Sequence, residues 1–251
     1  MLGALVLRNA ILLFAIIAAL ANPAEARRRK HRHHAEAANQ TASVDPQADA
    51  ASGAGDAHVG ELVNINLNGQ TVNYWETGKL GQTPLIIFSH GFGGCGTHIA
   101  FMATELAKQG WLVLAPNHSD AACRLNRQVL KPLTDPITWD ETTFVERREE
   151  NRKVLLSLRS DPAWRNRIDW SRVALMGHSL DGYVVLAKAG GLPSWRSEGI
   201  SALLALSPFC NTLSLKGSLQ EISVPIMYLG GNRDTISGNM VANAGDGGER
   251  A

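Results

Sequence analysis

The apolar and polar positions of this chain fall into short runs of two kinds. Glu61 to Leu67 sets Leu62, Ile65 and Leu67 among polar residues and ends at Asn68-Gly69, and a second run follows from Thr71 to Thr77. Two such runs across Asn-Gly predict a β-hairpin, because both turn residues tolerate positive φ. Pro84 to Ser89, Trp111 to Ala115, Arg172 to Met176, Ala202 to Leu206 and Pro225 to Leu229 are nearly unbroken apolar stretches. They predict strands covered on both faces. Between them lie helical patterns. Ile99 to Gln109 carries Phe101, Met102, Leu106 and Ala107 at helical spacing and stops at Gly110. Glu141 to Arg159 sets Phe144, Val145, Val154, Leu155 and Leu158 against many charges and ends at Asp161-Pro162. Tyr183 to Ala189 is helix-compatible, and residues 119–140 read as loop. Strands alternating with helices predict an α/β fold: a mainly parallel central sheet with helices on both faces. After Asp234 the apolar period stops, so a final strand and helix are expected to be missing and residues 237–251 to form an irregular tail.

The chain has 251 residues, and its first 58 differ from the rest. An apolar run at residues 10–21 follows Arg8 and precedes Ala24-Glu25-Ala26. This predicts a signal peptide over residues 1–26 and an exported protein, secreted or periplasmic. The alternative is an uncleaved membrane anchor, which the cations Arg27 to Arg32 favour. Residues 27–58 are basic and Ala-rich with almost no large apolar side chain, and are expected to be a disordered linker. His31, His33 and His34 lie there with no acidic or cysteine residue directly beside them, so no metal site is assigned. A folded domain is then expected over 59–236. Residues 1–34 carry a net +5 and the remainder −4. An acidic body argues against a nucleic-acid partner.

Three motifs carry chemistry. Gly177-His178-Ser179-Leu180-Asp181-Gly182 follows the Arg172–Met176 strand. A serine on a sharp strand-to-helix turn is an exposed nucleophile, and glycines flank it because the turn is crowded. Here Asp181 occupies the position two after Ser179 where the pattern has glycine. Its charge is expected to oppose a developing oxyanion. Gly182 stands one residue too late to substitute. The second motif, Ser89-His90-Gly91-Phe92-Gly93-Gly94, is a turn after an early strand. Its Phe92 amide, with that of Leu180, is the candidate oxyanion hole. The third, Gly230-Gly231-Asn232-Arg233-Asp234, places a carboxylate past a late strand, and Asp234 is the candidate acid. Cys95 and Cys123 sit in loops at one sheet edge and could pair; three separate thiols, Cys210 included, are the alternative.

These motifs, with Ala115-Pro116-Asn117-His118-Ser119-Asp120-Ala121-Ala122-Cys123, resemble the α/β-hydrolase superfamily. Within it they are similar to bacterial dienelactone hydrolases, akin to platelet-activating-factor acetylhydrolases and polyester hydrolases. The resemblance covers about residues 60–236. It implies carboxylic-ester hydrolysis without a cofactor on a small or lipid-like ester, with Ser179 as nucleophile, Asp234 as acid, and Phe92 and Leu180 as oxyanion donors. It also implies a Cys95–Cys123 bridge. One departure is large. In that family the catalytic histidine follows the acid, whereas all eight histidines here precede Ser179. The chain is therefore expected to be inactive or impaired, or to bind an acyl ligand without turnover. His118, past the Trp111–Ala115 strand, is a poor stand-in for the base.

Overall fold

In the computed structural model of the chain, residues 59–79, 81–128, 135, 138–210, 212–213 and 217–230 are described. All lie in the compact unit that begins at His58. The signal peptide, linker, His31, His33, His34, Asp234 and tail assigned above lie outside the described residues.

Among the described residues, seven strands form one sheet in the order β1-β2-β4-β3-β5-β6-β7. β1 (Leu62–Leu67) and β2 (Gln70–Trp75) pair antiparallel. Asn68 and Gly69 join them with φ of 50° and 83°, the double left-handed geometry that selected Asn-Gly. β2 also runs antiparallel to β4 (Leu112–Pro116). From β4 through β3 (Thr83–Ser89), β5 (Ile168–His178), β6 (Ala202–Leu206) and β7 (Ile226–Leu229), every pairing is parallel. β3 is buried along its whole length, as its continuous apolar run requires.

Both faces of the sheet are covered. Leu85, Ile87, Leu112, Leu114, Val173, Leu175, Leu203 and Ala205 share a core with Val154, Leu155 and Leu158 of α2 (Val145–Ser160) and with α4 (Leu180–Leu186). The alternate strand positions, Ile86, Phe88, Val113, Ala115, Ala174, Met176 and Leu204, point the other way and are buried as well. α1 (Ala100–Lys108) buries Met102, Ala103 and Leu106 against β2 and β4. Phe101, counted above with the apolar face of this helix, is instead 66% exposed.

Several element boundaries differ from those the pattern predicts. α2 begins at Val145 rather than Glu141. Asp140 accepts bonds from the Thr142 amide and hydroxyl, a local turn that competes with the helix, and Phe144 sits at φ 60°. Beyond Asp161 a short unforeseen helix, α3 (Pro162–Arg167), starts at once. Asp161 caps it by accepting from Ala163 N at 2.8 Å, with Pro162 at the first helical position. β5 accordingly starts four residues before Arg172, with a register shift against β3. α4 starts at Leu180, three residues before Tyr183, and runs into a wider turn over Ala187–Gly191.

The parallel register has one consequence for function. Ser89 at the end of β3 lies opposite Gly177 near the end of β5. The loops that follow these two strands therefore emerge side by side at the carboxyl edge of the sheet.

Candidate active site

Ser179 occupies the turn between β5 and α4 with φ 54° and ψ −117°. This conformation is costly for a residue with a side chain and persists only where the surroundings impose it. Three backbone bonds do so: Ser179 N donates to Leu206 O (2.9 Å), and Ser179 O accepts from Gly182 N (2.9 Å) and Phe209 N (3.2 Å). Ser179 stays partly exposed while Leu180 behind it is fully buried.

The two glycines are dictated by contact. A Cβ on Gly177 would strike the carbonyl of Asp181, its carbon at 2.5 Å. A Cβ on Gly182 would meet Pro208 Cβ at 2.5 Å and Cα at 2.6 Å. The position that must be small after the serine is thus Gly182, so the expectation that it comes one residue too late is corrected. Gly177→Ala is expected to lower stability by about 1–3 kcal/mol, because backbone must move on one side of the turn. Urea unfolding of the variant beside the parent checks this.

The 90–94 turn packs directly on the serine. A Cβ on Gly91 would lie 3.0 Å from Ser179 Cβ and 3.1 Å from His178 O. Gly94 N closes the turn on Gly91 O at 2.9 Å. Among the described residues, the amides of Phe92 and Leu180 donate to no other group.

Asp181 does not aim its charge at this place. Its side chain is fully buried, with Oδ2 2.5 Å from Arg147 Nη1 and 3.1 Å from His118 Nε2. The expectation that its carboxylate opposes a developing oxyanion is corrected on that ground: the charge is neutralised inside the protein. Arg147, 1% exposed, also holds Asp120 Oδ2 (2.6 Å) through Nη2 and donates to His90 O (2.8 Å). Asp120 Oδ2 accepts from Gly93 N at 2.6 Å.

His118 is fully enclosed. Nδ1 faces Glu150 Oε2 at 2.7 Å, while Nε2 faces both Asp181 and Ser89 Oγ, the latter at 3.2 Å. Carboxylates at both ring nitrogens call for two N–H groups, hence an imidazolium. Ser89, His118 and Glu150 have the contacts of a catalytic triad. Ser89 nevertheless is 1% exposed and donates to Asn151 Oδ1 at 3.0 Å, so no substrate reaches it. Both nitrogens of His118 are committed away from Ser179. His90 is committed too, with Nδ1 2.8 Å from Gly91 O and Nε2 accepting from His118 N.

Cys95 and Cys123 form a disulfide, Cα to Cα 6.0 Å, while Cys210 is buried and free. The bridge fastens the loop after β3 to the loop after β4, beside the bond from Ala122 N to Gly94 O at 3.1 Å. Among the described residues, no group of three or more His, Cys, Asp or Glu is arranged to hold a metal ion.

These buried groups tie stability to pH. Burial, then the cations His118 and Arg147, push His90 down to about 3. A neutral folded histidine contributes fully above its unfolded value near 6.5, and that contribution is lost as pH falls toward 3. His118 behaves oppositely. Burial and Arg147 would lower it, but Asp181 and Glu150 outweigh them and hold it above the ordinary imidazole value. Its contribution is present below about 6.5 and is lost as pH rises through the folded value. Lys188, lowered to about 8 chiefly by burial, adds stability only above that pH. The urea midpoint is therefore expected to be highest near pH 6.5 and lower at both pH 5 and pH 7.5. A midpoint that is constant over this range contradicts both assignments.

Arg147, Asp120 and Glu150 were not recognisable from the sequence. Arg147 lies within Val-Glu-Arg-Arg-Glu-Glu-Asn-Arg-Lys, where nothing separates the one buried charge from its solvated neighbours.

Residues 59–161 match the family described as platelet-activating factor acetylhydrolase, isoform II. A bis(hydroxyethyl) terephthalate hydrolase of Streptomyces coelicolor is 26% identical over 186 residues, covering 72% of this chain and 50% of that protein. A cutinase of Thermobifida alba, est2, is 28% identical over 152 residues, 61% of this chain and 42% of its own. The chain thus spans about half the length of the curated relatives it matches. Among solved structures, a dienelactone hydrolase from Anabaena variabilis superposes with a TM-score of 0.51 at 16% identity, covering 73% of this chain and 78% of that one. The chain is a member of the α/β-hydrolase superfamily. The isoform II match ends before Ser179, so the serine turn rests on its own geometry. Among the described residues, no helix is long and apolar enough to cross a membrane.

Proposed function

We propose that this chain carries the nucleophilic half of a serine carboxylic-ester hydrolase. Ser179 Oγ attacks the ester carbonyl, and the oxyanion is received by the amides of Phe92 and Leu180. The observation that carries the reading is Ser179 at φ 54°, held by three backbone bonds against the Gly91 turn. The substrate is a small-molecule or lipid-like ester, in keeping with relatives named for a terephthalate ester, cutin and platelet-activating factor. Asp234 takes the role of the acid. Residues 1–26 direct export.

The proton acceptor is the weak point. No histidine lies between Ser179 and residue 251, and both His90 and His118 are engaged elsewhere. These 251 residues on their own are therefore impaired in turnover. Release of p-nitrophenol from its butyrate ester, by the purified chain and by Ser179→Ala, tests this. Near-background rates in both are expected. The same absence favours a second reading, an acyl-ligand-binding protein without turnover. Saturable binding of a fatty acid by the folded chain, unaffected by Ser179→Ala, would select it.

A further inference from the structure

The two proposed oxyanion donors belong to separate parts of the chain. Phe92 is on the turn after β3, and Leu180 is the first residue of α4. Such a hole works only if both N–H groups lie about 2.7–3.1 Å from one oxygen, so their spacing must hold to about half an ångström. Packing of Gly91 on Ser179 brings the two parts together, but a van der Waals contact does not fix direction.

One side chain grips both. Arg147 reaches from α2 and donates to His90 O, two residues before Phe92. Through Asp120 it also holds Gly93 N, one residue after Phe92. Its Nη1 meets the carboxylate of Asp181, one residue after Leu180. We propose that Arg147 is a positioning residue for the oxyanion hole, and that Asp181, standing where this turn ordinarily has glycine, is the anchor through which one guanidinium sets the spacing of both donors. This rests on the reading of Ser179 as nucleophile.

Three features support the assignment. Glycine at 181 would offer the guanidinium nothing to hold on the α4 side. A planar fork serves His90 O and Asp181 from Nη1 and Asp120 from Nη2 in fixed directions, whereas the three donors of an ammonium radiate from one nitrogen on a flexible stem and set no such spacing. And the charge of Asp181 itself is compensated in place. Arg147 and the His118 imidazolium both contact its carboxylate, while Asp120 shares Arg147 and the 17%-exposed Glu150 shares His118. Asp181 can therefore sit beside the hole without repelling the anion formed there.

The test uses the whole chain, labelled with ¹⁵N, and reads each side from the other. Asp181→Asn is expected to move the amide resonances of Phe92 and Gly93. Asp120→Asn is expected to move that of Leu180, and to move it less in an Arg147→Lys background, because the packed 90–94 turn is the other route between them. In parallel, phosphonylation of Ser179 by a fluorophosphonate is followed at increasing reagent. Here the Oγ–P bond forms, fluoride leaves and the proton passes to water. Asp181→Asn, Asp181→Gly and Arg147→Lys are each expected to lower the maximal labelling rate about tenfold with the half-saturating concentration unchanged. A purely structural role predicts instead that labelling follows the fraction folded, read from the melt of each variant. Cross-sheet resonances that stay in place, or a folded Asp181→Gly that labels as fast as the parent, overturn the proposal. If the parent itself is not labelled at Ser179, the functional reading fails, and the resonances of Phe92 and Leu180 still decide the positioning claim.

Discussion

Arg147→Met is expected to destabilise the protein by about 3–5 kcal/mol, the largest effect of any single substitution at the described site. The cost is electrostatic. The guanidinium is enclosed, and the two carboxylates it joins, Asp120 and Asp181, are 1% and 0% exposed in their side chains. Removing the cation leaves both acids buried, close together and short of partners, while His90 O loses its donor. Removing the charge on one acid instead, as in Asp181→Asn, leaves Arg147 with Asp120 and keeps an acceptor in place, so its cost should be smaller. The midpoint of urea unfolding at pH 6.5 measures both. An Arg147→Met chain that unfolds within about 1 kcal/mol of the parent would mean that the buried cluster is relaxed by water, because the desolvation argument requires more.

The second large effect concerns rate. In a well-studied serine protease, loss of the histidine alone costs on the order of 10⁶ in turnover, while the oxyanion hole and binding retain about 10³–10⁴ over water. Ordinary enzymes turn over at roughly 10 s⁻¹. The expected turnover of this chain on p-nitrophenyl butyrate is then on the order of 10⁻⁵ s⁻¹, so a single acylation takes about a day. A rate above about 0.1 s⁻¹ that disappears in Ser179→Ala would show that a base acts within these residues. His178 would then be the first to replace. It adjoins the serine and is exposed, and its Nδ1 would lie 3.2 Å from a Cβ on Gly91.

What the sequence revealed follows from where each signal resides. Continuous apolar runs marked β3 to β7, because strands buried on both faces have no polar alternation to blur them. Asn68-Gly69 gave the hairpin because the turn itself requires those residues. Helix starts were less legible. Asp140 makes local side-chain bonds that hydrophobic periodicity does not register, and Asp161-Pro162 both ends α2 and opens α3. At the candidate site, Ser179, Phe92 and Leu180 could be proposed because each is tied to a short local pattern, and the cysteine pair, bridged in the structure, because its two loops leave the same sheet edge. The Arg147 cluster was not, because its members come from the loop after β4, from α2 and from α4, and only the fold brings them together. The same blindness misplaced Asp181. Its position in the motif suggested a charge facing the reacting atoms, whereas the partner that draws it inward lies 34 residues earlier.

The most direct trial of the account is the site of covalent attack. The whole chain is held with a fluorophosphonate at pH 7 for about two days, roughly twice the time expected for one acylation, then digested and mapped by mass spectrometry. The account predicts one modified residue, Ser179, with the mark absent from Ser179→Ala. No adduct, or an adduct that persists at Ser207 or elsewhere once Ser179 is replaced, would contradict it.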